Sequence, residues 1–560
     1  MTPLGIISVF LVTMAGLFSP LAPVIAQDLF IVGDSTASLY GPEQYPRMGW
    51  GQVLGDFYGK DVKVMDLAKS GRSAKSYIDE GFFADLEKQL GADDILLIQF
   101  AHNDQKIHSP ERYAAADTTF KEYLLRYISL AREKNAQAVL LTPVVRRKFA
   151  EGKLIPTHGK YPDAIRELAL SSEVPLIDMT RLSGQFVAGL EEQESKTVYL
   201  HSIKDGIPLE DNTHFSERGA YAMAALVARE LDRLQIVPGN FTIPKFIRVE
   251  QDGSGDFIRI QDAINSLDGT TGPVIILIGP GQFEEKLFLT RDGITLAGSD
   301  RDHTTIRSTE LRSDWRKTHD DDWGAATVNI KASDITFMDL TVINDFGIRH
   351  GDNSHQFAVR LMEGSRIITE NSTFIAGGAD TMSLWNKQDG MYYHRRAHFE
   401  GYTDFVCPRG WSYITDSTFF SHGGAAVIWH DGSLDETQKM VIRNSSFDGV
   451  DGFVLARRQY DAQYYLLNNR YSSTMADTPI FRVSYEEGDN RNRPNLWGDR
   501  YYFSGSVKEG APYAWLQNNL PADLPEMTPE IVFNGKWDPE AHLKQSKAWI
   551  ALYETRETAQ

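Results

Sequence analysis

The chain has 560 residues, 42% of them apolar and 24% charged. That is a globular composition, too long for one ordinary core at about 150 residues per domain. Its formal net charge of -19 argues against a nucleic-acid partner, which needs a basic face. The single cysteine, Cys407, excludes an internal disulfide.

The chain begins with an apolar run from Leu4 to Phe18, followed by the small-residue end Val24-Ile25-Ala26. Residues 1–26 therefore read as an export signal removed by a peptidase. Gly16, Pro20 and Pro23 break the run, which is short for a membrane span of about 20 residues. The expected location is outside the cytoplasm, periplasmic or extracellular, with no membrane span after cleavage.

From 28 to 238, strand-like and helix-like stretches alternate. Leu29-Phe30-Ile31-Val32, Ile95 to Phe100 and Ala138 to Leu141 are apolar strand runs. Phe120 to Glu133 and Ala220 to Leu234 have helical periodicity. This alternation predicts an α/β domain, a parallel sheet covered by helices on both faces. Catalytic groups in such sheets gather at the carboxyl ends of the strands.

The Pro- and Gly-punctuated stretch Val237-Pro238-Gly239-Asn240 reads as a link. Beyond it, helical periodicity nearly vanishes. Five β-rich pieces end at Val342, Phe374, Phe419, Phe447 and Tyr471, mostly 24 to 32 residues apart. Each runs through an apolar alternation, an Asp or Asn, small polar residues and then an apolar one. Repeats of this period predict a solenoid, here an all-β parallel β-helix over 245–540. A β-sandwich is the rival.

The front chemistry rests on four pieces. Gly33-Asp34-Ser35 closes the first strand, and Ser70-Gly71-Arg72-Ser73 and His102-Asn103-Asp104 follow later strand regions. Asp211-Asn212-Thr213-His214 lies in a turn before the last helix. Serine is a poor nucleophile without a base. His214 can be that base, and Asp211 can orient its imidazole. The N–H groups of Ser35 and Gly71 and the Asn103 amide can hold an oxyanion. Together the pieces resemble the SGNH hydrolases, and more closely the rhamnogalacturonan acetylesterases. Gly-Asp-Ser-Thr-Ala, Gly-Arg-Ser-Ala-Lys-Ser and Thr142 to Arg147 carry that closer resemblance. It implies Ser35 as nucleophile with Asp211 and His214. Ala101 departs from the family, which has Gly there.

In the rear half, Gln356, Asp380 and Asp404 are each 24 residues apart, one coil if the register is regular. Two carboxylates one strand spacing apart cannot both ionise easily, so their pKa values split into a nucleophile and an acid. Arg457 lies 53 residues after Asp404, about two coils on. Gly281-Gln-Phe-Glu-Glu285, Gln356 to Leu361, Ala379-Asp-Thr-Met382, Gly401 to Val406 and Leu455-Ala-Arg457 come in the order found in pectin methylesterases. Asp252 to Phe257 and Ile260 to Ile264 resemble that family's first coil. The resemblance implies a right-handed β-helix. It also implies Asp404 as nucleophile, Asp380 as acid and then base, Arg457 as the partner of Asp404, and Gln356 as an oxyanion donor.

The resemblance implies no metal or cofactor and makes pectin the expected partner. An esterified pectin carries little charge, so the acidic balance does not exclude it. Three departures stand out: Ala379 replaces a Gln donor, Cys407-Pro408 replaces Phe-Gly, and the Trp after Arg457 is missing. A pectate lyase would need a calcium cluster, and a polygalacturonase would need Asp residues that cut a glycosidic bond. Two non-catalytic readings stay open for the rear half, a surface adhesin and a catalytically weak pectin-binding module behind the acetylesterase.

Overall fold

The structure, a computed structural model, describes residues 28–60, 62–204, 207–237, 241, 243–432 and 435–556. The expected leader at 1–26 and residues Pro238 to Asn240 of the expected link lie outside the described residues. The chain packs into two units. One holds residues up to 240 with those from 554 onward, and the other holds 241–553.

The front unit is built on a five-stranded parallel sheet. Its strands run in the order Val64–Asp66, Leu29–Gly33, Ile95–Gln99, Gln137–Leu141 and Leu176–Ile177. Leu29–Gly33 and Ile95–Gln99 are buried at every residue, as strands covered on both faces must be. The chain order reverses across this central pair. Loops leaving the two strands therefore diverge and open a crevice at their carboxyl ends, where Ser35 and Asn103 follow. The helix Glu217–Arg233 buries eleven residues, mostly alanine and other small or aliphatic side chains. Its Ser216 cap accepts a hydrogen bond from the Gly219 N–H. A side chain at Gly219 would collide with the Val198 carbonyl, its Cβ only 1.9 Å from the oxygen.

The rear unit is a parallel β-helix of three sheets with ten, nine and eight strands. The first sheet runs from Lys245–Val249 to Arg500–Ser504, the second from Gly281–Glu284 to Val507–Lys508, and the third from Leu287–Leu289 to Phe481–Arg482. The recurrent Asp or Asn has a geometric cause. Asp339, Asn371, Asp416, Asn444 and Asn468 hold φ between 44° and 55° at the corner from the first sheet to the second. Asn and Asp tolerate this left-handed region better than other residues with a Cβ. The apolar residue that follows enters the core, where Phe374, Phe399, Phe419, Phe447 and Tyr471 form a ladder with centroids 4.2–5.8 Å apart. Each such pair contributes about 1 kcal/mol beyond area burial.

Helices supplement the coils. Pro539–Glu554 lies over the first sheet, with Leu543 in one cluster with Tyr393, Tyr413 and Val441. Lys547 from this helix joins Arg395 on the buried Glu370 carboxylate. The rear unit thus continues past residue 540.

Candidate active sites

In the front unit, His214 donates from Nδ1 to Asp211 Oδ2 at 2.6 Å, and Ser35 Oγ donates to His214 Nε2 at 2.9 Å. Asp211 Oδ1 also accepts from the N–H groups of Thr213 and His214, at 2.8 and 3.0 Å. Burial raises the Asp211 carboxyl, but the His214 hydrogen bonds and the Thr213 N–H outweigh it and hold it well below the usual carboxylate range. It therefore stays charged and fixes the imidazole with Nε2 facing the serine.

The segment expected to be a turn lies in the strand Ile207–Phe215, which pairs antiparallel with Tyr199–Lys204. Tyr199 faces Phe215 and Leu200 faces Asp211, so Asn212, Thr213 and His214 bulge between them. A bulge re-aims a side chain without ending the strand. Arg147 holds it from behind: its N–H donates to the Asn212 carbonyl at 2.8 Å and its guanidinium to Asn212 Oδ1 at 3.1 Å.

The expected oxyanion donors sit on the neighbouring loops. Gly71 holds a φ of 80°, which suits glycine. The Asn103 amide donates to the Arg72 carbonyl at 2.9 Å, which leaves its second hydrogen. Three residues absent from the sequence assignment hold these loops. Asp34 accepts from the Thr36 N–H at 3.0 Å and meets His102 Nδ1 at 3.1 Å. Burial opposes the Asp34 charge, but His102 and Thr36 overcome it and lower the carboxyl to about 2. Asp104 accepts from the Ala74 N–H at 2.8 Å, tying the Asn103 loop to the helix after Gly71. The words Gly-Asp-Ser and His-Asn-Asp contained these three residues; only their contacts reveal their use.

Ala101, where the resembled family has glycine, is fully buried with a φ of 144°. A Cβ there is strained by about 1–3 kcal/mol, more than the roughly 0.5–1 kcal/mol that glycine loses in chain entropy. Ala101→Gly is expected to raise the thermal midpoint of the front unit by a few degrees in calorimetry. A lowered midpoint would show that the methyl group contributes more through packing than the backbone loses through strain.

In the rear unit the register is regular where the chemistry lies. The Gln356 N–H donates to the Ala379 carbonyl, the Asp380 N–H to Thr403 and the Asp404 N–H to Ala426. Met382 pairs with Val406, placing Asp380 and Asp404 at equivalent positions on adjacent coils. Both hold left-handed backbone, with φ of 67° and 49°, a conformation that clusters at functional sites. Arg457 forks onto Asp404, its Nε 2.9 Å from Oδ1 and its terminal nitrogen on Oδ2. Burial is the largest influence on Asp404 and Asp380 adds to it. Against the Arg457 fork they push the carboxyl above its usual value.

Gln356 departs from its expected part. It is fully buried, accepts from the Gly347 N–H at 2.7 Å, and donates to the carbonyls of Asp352 and Ser354 at 2.6 and 3.3 Å. Its amide is engaged by the backbone, so it is not a free donor beside Asp404. An aromatic ring does stand near Arg457, on the preceding coil. The guanidinium lies 4.9 Å from the centre of Trp429, with which Arg457 pairs in register.

Among the described residues there is no group of three or more His, Cys, Asp or Glu side chains placed to hold a metal ion. Among the described residues, no helix is long and apolar enough to cross a membrane.

Residues 31–222 match the GDSL-like Lipase/Acylhydrolase family, and residues 246–443 match the Pectinesterase family. The front half is 39% identical over 214 residues to a rhamnogalacturonan acetylesterase of Bacillus subtilis, covering 37% of this chain and 90% of that protein. The rear half is 30% identical over 135 residues to pectinesterase A of Dickeya chrysanthemi, covering 23% of this chain and 35% of the relative's length. The solved pectin methylesterase PemA from Erwinia chrysanthemi superposes with a TM-score of 0.44 at 20% identity, over 53% of this chain and 98% of that one.

Proposed function

The chain belongs, through its front unit, to the rhamnogalacturonan acetylesterases of the GDSL-like lipase/acylhydrolase family and carries a pectinesterase domain behind it; on that premise we propose that it is an exported enzyme removing acetyl and methyl esters from pectin at two separate sites. The observation that carries the reading is the pair of side-chain constellations suited to a serine esterase and an aspartate esterase. Ser35, His214 and Asp211 form one, and Asp404, Asp380 and Arg457 the other.

At the front site, Ser35 Oγ attacks the acetyl carbonyl while His214 Nε2 takes its proton. The N–H groups of Ser35 and Gly71 and the free Asn103 amide hydrogen receive the oxyanion. His214 then protonates the departing sugar oxygen, and a water deprotonated by the same imidazole attacks the acyl-enzyme and releases acetate as the proton returns to Ser35 Oγ. At the rear site, Asp404 attacks the methyl-ester carbonyl and Asp380 protonates the departing methanol. Asp380 then takes a proton from the water that opens the acyl-enzyme.

Asp404 must be ionised to attack. Its carboxyl is raised, so methanol release falls as pH drops through that raised value and the acid limb lies above 3.8, the usual aspartate value. Arg457 favours the charged form. Arg457→Gln is therefore expected to move the limb of kcat/KM to higher pH and lower its plateau. A limb that stays put or moves down would remove Arg457 from this role.

Tethering would keep a doubly esterified chain held by one site near the other. The reading is tested by following acetate and methanol separately as the intact protein acts on acetylated, methylated pectin. Release of both is expected. Acetate without methanol would favour the rear unit as a pectin-binding module.

A further inference from the structure

Behind the front oxyanion site stands a cation that the reaction above does not use. Asn103 is buried, and its amide is held at both ends. Nδ2 donates to the Arg72 carbonyl at 2.9 Å, and Oδ1 accepts from the Lys106 ammonium at 2.7 Å. The backbone closes the same turn, with the Lys106 N–H donating to the Asn103 carbonyl at 3.1 Å. That bond brings the chain back so that a side chain three residues on can reach the amide. Arg72 follows Gly71 directly. One run of hydrogen bonds therefore passes from the ammonium, through the amide, to the loop that carries another oxyanion donor.

An exposed lysine on a loop is ordinarily a solvated charge of little energetic consequence. Lys106 is placed differently. Among the described residues it makes no ion pair with a carboxylate, and its ammonium donates to the neutral Asn103 oxygen. Burial lowers the pKa of that ammonium below its usual value, and Arg112 and Arg146 add to the effect, with Asp34 opposing them. A positive charge there does little for the fold, since water at this exposed position could satisfy the amide oxygen as well. The charge has a use in the reaction. Asp34 and Asp211 are both held ionised near Ser35, and ester cleavage adds a third negative charge, on the ester oxygen. An ammonium donating to Oδ1 draws electron density from the amide nitrogen and makes its remaining N–H a stronger donor. Because the cation is already in place, no reorganisation is needed when that charge develops.

We propose that Lys106 is a positioning residue for the front oxyanion site, holding and polarising the Asn103 amide so that its second hydrogen meets the developing oxyanion. The inference rests on the reading of the front site as a serine esterase. Both acylation and deacylation pass through an oxyanion, so kcat reports the effect whichever step limits turnover.

The test follows acetate release from acetylated pectin by the full-length protein, with thermal unfolding in parallel. Lys106→Met is expected to lower kcat about tenfold, the order expected when a hydrogen bond to a charged group is lost, and to leave KM within about twofold. Lys106→Arg keeps a cation within reach of Oδ1 and should lose less. Asn103→Ala should cost about a hundredfold. Adding Lys106→Met to Asn103→Ala should then cost less than about threefold, because the cation acts through the amide. A lysine that served only the fold would lower the thermal midpoint and give losses that multiply. Parent kcat in Lys106→Met, a loss carried by KM, or multiplying losses in the double variant would overturn the assignment while Ser35→Ala remained inactive. Acetate release that survived Ser35→Ala would strike the serine reading itself, and the assignment with it.

Discussion

Ser35→Ala is expected to abolish acetate release, by about four to six orders of magnitude, and to leave methanol release at the parent rate. The size follows from the triad acting as one unit: without Oγ there is no nucleophile for His214 to activate. Ser35 lies 2.9 Å from His214 Nε2 and contributes nothing to the rear set, so the fold should be little disturbed. His214→Ala is expected to cost nearly as much and the double variant little more, because each member is useless alone. Acetate release that survives Ser35→Ala at more than a hundredth of the parent rate would remove Ser35 as nucleophile.

Asp404→Asn is expected to reduce methanol release by about three orders of magnitude or more, with acetate release unchanged. An amide is a poor nucleophile, and the Arg457 fork then meets a neutral group on a face where the guanidinium needs a counter-charge. Breaking a partly buried pair from one side also destabilises, so thermal unfolding should be followed in parallel. Asp380→Asn should be comparably severe for turnover and leaves the Arg457–Asp404 pair intact, which separates lost chemistry from lost stability. Methanol release near the parent rate in either variant would dismantle the aspartate mechanism.

Much of this molecule could be read before it was seen, for physical reasons that also explain what could not. The three central front strands are apolar runs buried on both faces, and they stood out. Val64–Asp66 is short and half-buried, and Leu176–Ile177 has two residues, too few for any pattern to show. Asp211 and His214 were recognisable as a spaced pair. Their presentation on a bulge was not, because the bulge depends on pairing with Tyr199–Lys204.

In the rear unit, the Asn or Asp at each corner was legible because few other side chains accept its left-handed backbone. The 45-residue gap between Phe374 and Phe419 concealed the coil at Met391–Arg395 and His398–Gly401. Arg396 takes that corner with a φ of 52° and breaks the pattern. Spacing placed Asp380 and Asp404 on adjacent coils, and Arg457 two coils beyond Asp404. It could not show that the Gln356 amide turns to the backbone, since rotamer and partner are tertiary facts.

The central claim is two independent ester hydrolases on one chain, and a crossed measurement tests it most directly. Acetate and methanol are followed together from one acetylated, methylated pectin with the parent protein, Ser35→Ala, Asp404→Asn and the double variant. The account predicts that Ser35→Ala loses only acetate, Asp404→Asn loses only methanol, and the double variant loses both. Loss of both products in either single variant, or survival of either product in the double variant, would contradict it.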